Sequence, residues 1–142
     1  MPPFISHIDI ARPPAEVFAY ATDPARFPEW QADVVRVHVE GRRFTTTRRI
    51  GRAERTMTQE ISESDPPRRW AARGVSGPVR PNATIDIAPI DGGTGSRVTF
   101  GLDFTGRGIG RLLVPLVVRR MAEKGAPFSY RRLKELLESG GS

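Results

Sequence analysis

Between Val98 and Phe104 the chain alternates without a fault. Val98, Phe100, Leu102 and Phe104 take one side, and Thr99, Gly101 and Asp103 take the other. Period two places successive side chains on opposite faces of an extended strand, so the apolar side must be covered by something. Just upstream, Asp91-Gly92-Gly93-Thr94-Gly95 supplies residues that tolerate left-handed backbone, the signature of a tight hairpin. The strand from Val98 therefore runs antiparallel to one that ends near Ile90.

The same period recurs along most of the chain. Phe4–Ile10 reads as a strand with Ile8 and Ile10 opposed to His7 and Asp9. Val35, Val37 and Val39 share a face against Arg36, His38 and Glu40. Gly41-Arg42 turns into a strand over Phe44–Ile50, and Gly51 turns into another over Arg52–Glu63, with Met57 and Ile61 on one face. Asp65-Pro66-Pro67 ends that strand, since proline cannot donate to a ladder. Arg69–Val75 follows, and Gly77-Pro78 separates it from the strand that reaches Ile90.

Two stretches break the period. Pro13-Pro14 ends the first strand, and Ala15–Ala21 reads as a short helix with Val17, Phe18 and Ala21 on one side. Asp23-Pro24 stops it and caps a second short turn from Phe27 to Trp30. The other stretch, Ile109–Glu138, is long and helical in composition. Its start, Leu112–Val118, is apolar nearly all round, and Pro115 fits only if the helix begins near Gly110 or Arg111. The stripe of Leu113, Val117 and Met121 does not run on into the stripe of Leu133 and Leu137, and a kink near Pro127 reconciles the two.

The expected fold is therefore α+β: a curved antiparallel sheet of about six to seven strands, two short helices after the first strand, and a long C-terminal helix. That helix is the only cover long enough for the sheet's apolar face, so the sheet curls around it in a helix-grip arrangement. At 142 residues there is room for one core. The expected domain is 1–138, with Ser139-Gly140-Gly141-Ser142 as a disordered tail.

Composition narrows the function classes. There is no cysteine, so disulfide and thiolate chemistry are out, and two isolated histidines do not make a zinc site. No metal or cofactor is expected. Met1-Pro2-Pro3-Phe4 opens no secretory signal, and no apolar run approaches the roughly 20 residues of a membrane span. The expected location is cytoplasmic. The net charge is +6, and all 22 basic residues but Lys124 and Lys134 are arginine. They fall in dispersed pairs such as Arg42-Arg43 and Arg131-Arg132, so nucleic acid is not the expected partner. Gly106-Arg107-Gly108-Ile109-Gly110 lacks the βαβ context of a phosphate loop and reads as a hinge into the last helix.

In this order and spacing, several segments resemble the START/Bet v 1-like (SRPBCC) superfamily, in its polyketide cyclase/dehydrase and lipid transport-like branch. They are Pro13–Phe18 after the opening strand, Asp23-Pro24-Ala25-Arg26-Phe27-Pro28-Glu29-Trp30, the turn Gly92–Thr99, and the ending Leu133–Glu138. The resemblance implies a cavity between sheet and helix that holds an apolar molecule. Its members include aromatic polyketide cyclases and lipid or sterol carriers.

The candidate wall of that cavity is Val35, Val37, Met57, Trp70, Phe100 and Met121, with Val117 beside Met121, and with Trp30 either at the mouth or simply pinning the short helices to the sheet. Polar residues share the apolar strand faces: Thr46 and Arg48 with Phe44, Arg55 and Gln59 with Met57. Arg48, Arg55 and Gln59 are the candidate ligand-orienting donors, unless a one-residue register slip turns the two arginines to solvent. Asp86 and Asp103 alternate away from the apolar sets, so no catalytic acid or base is assigned. The leading expectation is a binder or carrier of a small apolar molecule, lipid-like or aromatic, with Arg55 and Gln59 holding its polar end. The alternatives are a cyclase/dehydratase-type enzyme, and a module that uses Leu112–Val118 and the arginine surface on a partner or membrane surface. Monomer and homodimer both remain open.

Overall fold

The computed structural model describes residues 4–31, 33–50, 52–76, 79–106 and 126–140. Seven strands form one antiparallel sheet: β1 (Phe4–Ile10), β2 (Val34–Glu40), β3 (Arg43–Ile50), β4 (Ala53–Asp65), β5 (Arg69–Ser76), β6 (Val79–Ile90) and β7 (Gly95–Gly106). Their spatial order is β1-β7-β6-β5-β4-β3-β2. Between β1 and β2 lie α1 (Pro14–Ala21), a 3-10 turn (Pro24–Arg26) and α2 (Phe27–Trp30), which carry the chain from one edge of the sheet to the other. The last described helix, α3, is Ala126–Gly140. Residues 107–125, and with them the apolar run 112–118 and any kink upstream of Pro127, lie outside the described residues. Ser139 and Gly140, expected in a disordered tail, belong to α3.

The strands form where alternation and breakers predict them. Asp23 caps the turn after α1, its carboxylate accepting from the Ala25 N–H at 3.1 Å. At the β6–β7 hairpin, Asp91, Gly92 and Gly93 have φ of 52°, 70° and 95°, left-handed values that two glycines adopt without a side-chain clash. Val98 and Phe100 are buried, Leu102 is partly buried, and the side chain of Phe104 lies outside the described residues.

Register shifts occur in β2 at Val34/Arg36 and in β4 at Thr58/Gln59 and Ile61/Glu63. Such irregularities add local twist, and the long strands β4, β6 and β7 curl the sheet into a half-barrel. Its concave face packs with α1 and α3, burying Val17, Ala21, Ile85, Val98, Leu133 and Leu137 in one core. The end of α3 is tied to the β1–α1 connection. Arg12 donates from Nε to the Leu137 carbonyl (2.9 Å) and from Nη2 to the Glu138 carbonyl (3.0 Å).

Many arginines sit on the surface in ion pairs: Arg69 with Asp86, Arg97 with Asp9, and Arg43 and Arg73 with Glu60. Both histidines are exposed. No helix among the described residues is long and apolar enough to cross a membrane.

Candidate functional site

The short helix α2 is amphipathic at its minimum length. Phe27 and Trp30, three residues apart, fall on one side of the turn and are both buried. Phe27 sits edge-on to three rings: Trp30 at 5.9 Å between centroids, Phe44 of β3 at 5.6 Å, and Trp70 of β5 at 6.2 Å. Trp30 continues to Phe100 of β7 at 6.0 Å. Phe100 in turn lies flat against Tyr130 of α3, with centroids 3.9 Å apart. Rings from three strands and two helices thus form one connected wall on the concave side of the sheet.

That wall bounds a cavity of about 80 Å³. A single water needs roughly 10–15 Å³, so the space suits a small organic molecule. Pro81, Ala83 and Ile85 of β6 form its floor, and Ser129 and Tyr130 bring α3 against it.

Its polar end is built by β3 and the connection into β2. Arg48 pairs in register with Val34, which sets its side chain beside residues 31–33. It donates from Nη1 to Asp33 Oδ1 (3.0 Å) and from Nη2 to Gln31 Oε1 (2.8 Å). The Arg49 N–H donates to the Asp33 carbonyl at 2.8 Å, which fixes the connection against β3. The side chains of Arg48 and Asp33 are only 11% and 13% exposed. Among the described lining residues these two carry the only charges, and they cancel.

Among the described residues, the buried polar atoms Trp30 Nε1, Asp33 Oδ2 and Thr46 Oγ1 nevertheless lack a hydrogen-bond partner. Each such atom costs about 1–3 kcal/mol. The first two belong to cavity-lining side chains. Burial pushes the Tyr130 phenol up to about 12, against the opposing pull of the Arg48 charge. Tyr130 therefore stays a protonated donor throughout the neutral range.

Of the residues expected from the sequence, Trp30, Arg48, Met57, Gln59, Trp70 and Phe100 line this one cavity. Gln59 already has work to do. Its Nε2 donates to the carbonyl of Pro81 at 3.1 Å, across the part of β6 where proline supplies no N–H. Val37 packs against the core without lining the cavity.

Two expectations are corrected. Val35 is 41% exposed, because the bulge at Val34/Arg36 turns Val34 inward in its place. Arg55 pairs with Arg48 and shares its face of the sheet, but it lies two residues beyond Met57 toward the β3–β4 turn and is exposed. Of the expected ligand-orienting pair, Gln59 lines the cavity and Arg55 does not. Val117 and Met121 lie outside the described residues.

Phe27, Gln31, Asp33 and Tyr130 are lining residues that the sequence pattern does not single out. Phe27 and Tyr130 do carry a signal: each precedes a buried partner, Trp30 and Leu133, by one helical turn.

Known structures share this architecture. A protein from Thermus thermophilus superimposes with a TM-score of 0.80 at 23% identity, over 99% of this chain and 100% of its own. An aromatase/cyclase from a Streptomyces species gives 0.77 at 15% identity, over 99% and 98%. A START superfamily protein from Mycobacterium smegmatis gives 0.71 at 12%, over 97% and 95%. At these identities the likeness is one of fold. No match is found among curated protein sequences. The sequence signature described as polyketide cyclase/dehydrase and lipid transport matches residues 3–138, nearly the whole chain, and the chain belongs to that family.

Proposed function

We propose that this protein binds a small apolar molecule containing an aromatic ring, in the cavity between the concave face of the sheet and α3. The observation that carries the reading is the wall itself: Trp30, Trp70, Phe100 and Tyr130 face one space whose polar end has no net charge among the described residues. Ring faces and edges reward a flat ligand beyond simple burial, and few polar groups are enough to orient it. Native mass spectrometry of the freshly purified protein tests this. A small molecule of defined mass, released on denaturation, is the expected result. A bare chain that also fails to take up added aromatic compounds contradicts it.

A second reading is a cyclase/dehydratase-type enzyme. It is favoured by one observation: Asp33, whose buried Oδ2 has no partner among the described residues, lines the same cavity as Tyr130, whose phenol stays protonated. A proton acceptor and a donor around one bound chain are the minimum for enolisation and dehydration. Folding of a flexible chain inside the cavity adds the entropic part. Conversion of a poly-β-ketone that is lost in Asp33→Asn separates this reading from simple binding.

A further inference from the structure

We infer that β2 is a self-association surface: two copies of this chain pair β2 against β2, antiparallel about His38, and their sheets join into one.

The backbone of β2 is open on its outer side. The sheet ends in β1 on one side and β2 on the other. At β1 the C-terminal helix covers part of the edge, with Lys134 Nζ donating to the Asp9 carbonyl at 2.7 Å. At β2 the ladder shows which groups are left over. The Arg49 N–H donates to the Asp33 carbonyl, while the Arg42 carbonyl, just before β3, accepts from the Ile61 N–H of β4. Odd-numbered residues of β3 therefore serve β2, and even-numbered ones serve β4. Arg43, Thr45 and Thr47 stand opposite Glu40, His38 and Arg36, which carry the β2 side of the ladder. Val37 and Val39 alternate with them and turn their N–H and C=O outward, where no described residue bonds them. An open row of this kind is a template for another strand. The large apolar side chains left exposed among the described residues also lie on the two edge strands, Ile5 on β1 and Val35 and Val39 on β2.

A second copy of the same strand is the occupant whose charges fit. In a two-fold pairing centred on His38, Val37 of each copy meets Val39 of the other and exchanges both hydrogen bonds with it. On the opposite face, Arg36 of each copy meets Glu40 of the other. These are the close, non-bonded positions of an antiparallel pair, where opposite charges stabilise and like charges do the reverse. Charges on an edge strand ordinarily discourage pairing. Here their order matches the same strand reversed. Centring on Val37 would put Glu40 opposite Val34, and centring on Val39 would put Arg36 opposite Arg42. Both charged side chains are exposed in the single chain, Arg36 with Glu54 at 3.5 Å and Glu40 with His38 at 3.0 Å. The Arg36 guanidinium thus keeps further N–H donors for a second carboxylate. The bulge at Val34/Arg36 ends the paired stretch after a few residues, so the dimer is weak and depends on concentration.

Sedimentation velocity of the full chain, from low micromolar to near-millimolar concentration at neutral pH, tests the inference. The expected result is a monomer–dimer equilibrium. Val39→Pro removes an outward N–H that the β2–β3 ladder does not use, and is expected to leave a folded monomer throughout. Arg36→Glu and Glu40→Arg each set like charges opposite one another twice per dimer, and each is expected to weaken association by ~10-fold or more. The double variant Arg36→Glu/Glu40→Arg restores the pairing and is expected to recover most of that loss. Circular dichroism checks each variant's fold, and the exposed charge variants decide the matter if Val39→Pro folds poorly. A monomer at every concentration overturns the inference, as does a dimer that persists in folded Val39→Pro. Charge variants that leave the dimer unchanged, or a double variant no tighter than the single ones, overturn the register.

Discussion

Phe100 and Tyr130 stack with ring planes within 6° of parallel and centroids 3.9 Å apart. One ring stands on β7 and the other on α3, so this contact joins the sheet to its helical cover at the edge of the cavity. It also leaves Tyr130 only partly exposed.

An alkaline titration reads that burial directly. Both tyrosines of the chain are pushed up to about 12: Tyr130 by burial, and Tyr20 by burial together with its hydrogen bond to Glu29. Phenolate absorbance is expected to be nearly absent at pH 10 and to appear near pH 12. In denaturant it returns to the ordinary value near 10. Between those two values the unfolded chain holds fewer protons than the folded one, so stability is lost as pH rises through this window. A normal titration of both phenols in the folded protein contradicts the packing described here.

Arg12 anchors the C-terminal end of α3 through two carbonyls that have no partner within the helix. Arg12→Ala is expected to destabilise the domain by about 2 kcal/mol, since charge-assisted hydrogen bonds are lost at a part-buried position. Thermal unfolding is then expected to shift down by roughly 5–10 °C. Arg12→Lys recovers only part of this, because an ammonium group does not reproduce the guanidinium fork. A melting point unchanged in Arg12→Ala removes the anchoring role.

The Arg48–Asp33 pair makes a non-additive prediction. Arg48→Met strands a buried carboxylate and is expected to cost about 3–5 kcal/mol in denaturant unfolding. Adding Asp33→Leu removes the stranded charge, so the double variant is expected to be more stable than Arg48→Met alone. If the two losses simply add, the pair is solvated and the cavity's polar end is not as described.

Much of this architecture is legible in the residues. Val98 and Phe100 declare their face by strict alternation, Gly92 and Gly93 declare a turn, and the β-turn-helix order up to Trp30 follows from Pro13-Pro14 and Asp23-Pro24. Legibility stops where one residue changes the count. Val35 belongs to an apolar alternation, yet the bulge beside it exchanges its face with that of Val34. Arg48 and Arg55 share a face of adjacent strands, so period alone cannot separate them. What separates them is position along the strand, since Arg48 reaches the 31–33 connection and Arg55 does not. Asp33 stands in a short connection with no period to read, and its role appears only when β3 is laid beside β2. Tyr130 lies on a readable stripe, but its contact with Phe100 is distant in sequence and depends on how α3 enters the half-barrel.

The central claim is that the space beside Met57 and Ala83 is where an aromatic molecule sits. The most direct test is titration of a neutral naphthalene-based fluorophore into the unmodified chain, Met57→Arg and Ala83→Phe, each checked for folding by circular dichroism. Met57 is almost fully buried but lies outside the main core cluster, so an arginine there puts a charge into the cavity. Ala83→Phe fills the same space without charge. The account predicts saturable one-to-one binding by the unmodified chain, and loss of at least ~10-fold in affinity in whichever variants fold. Undiminished affinity in a folded Ala83→Phe or Met57→Arg would contradict it.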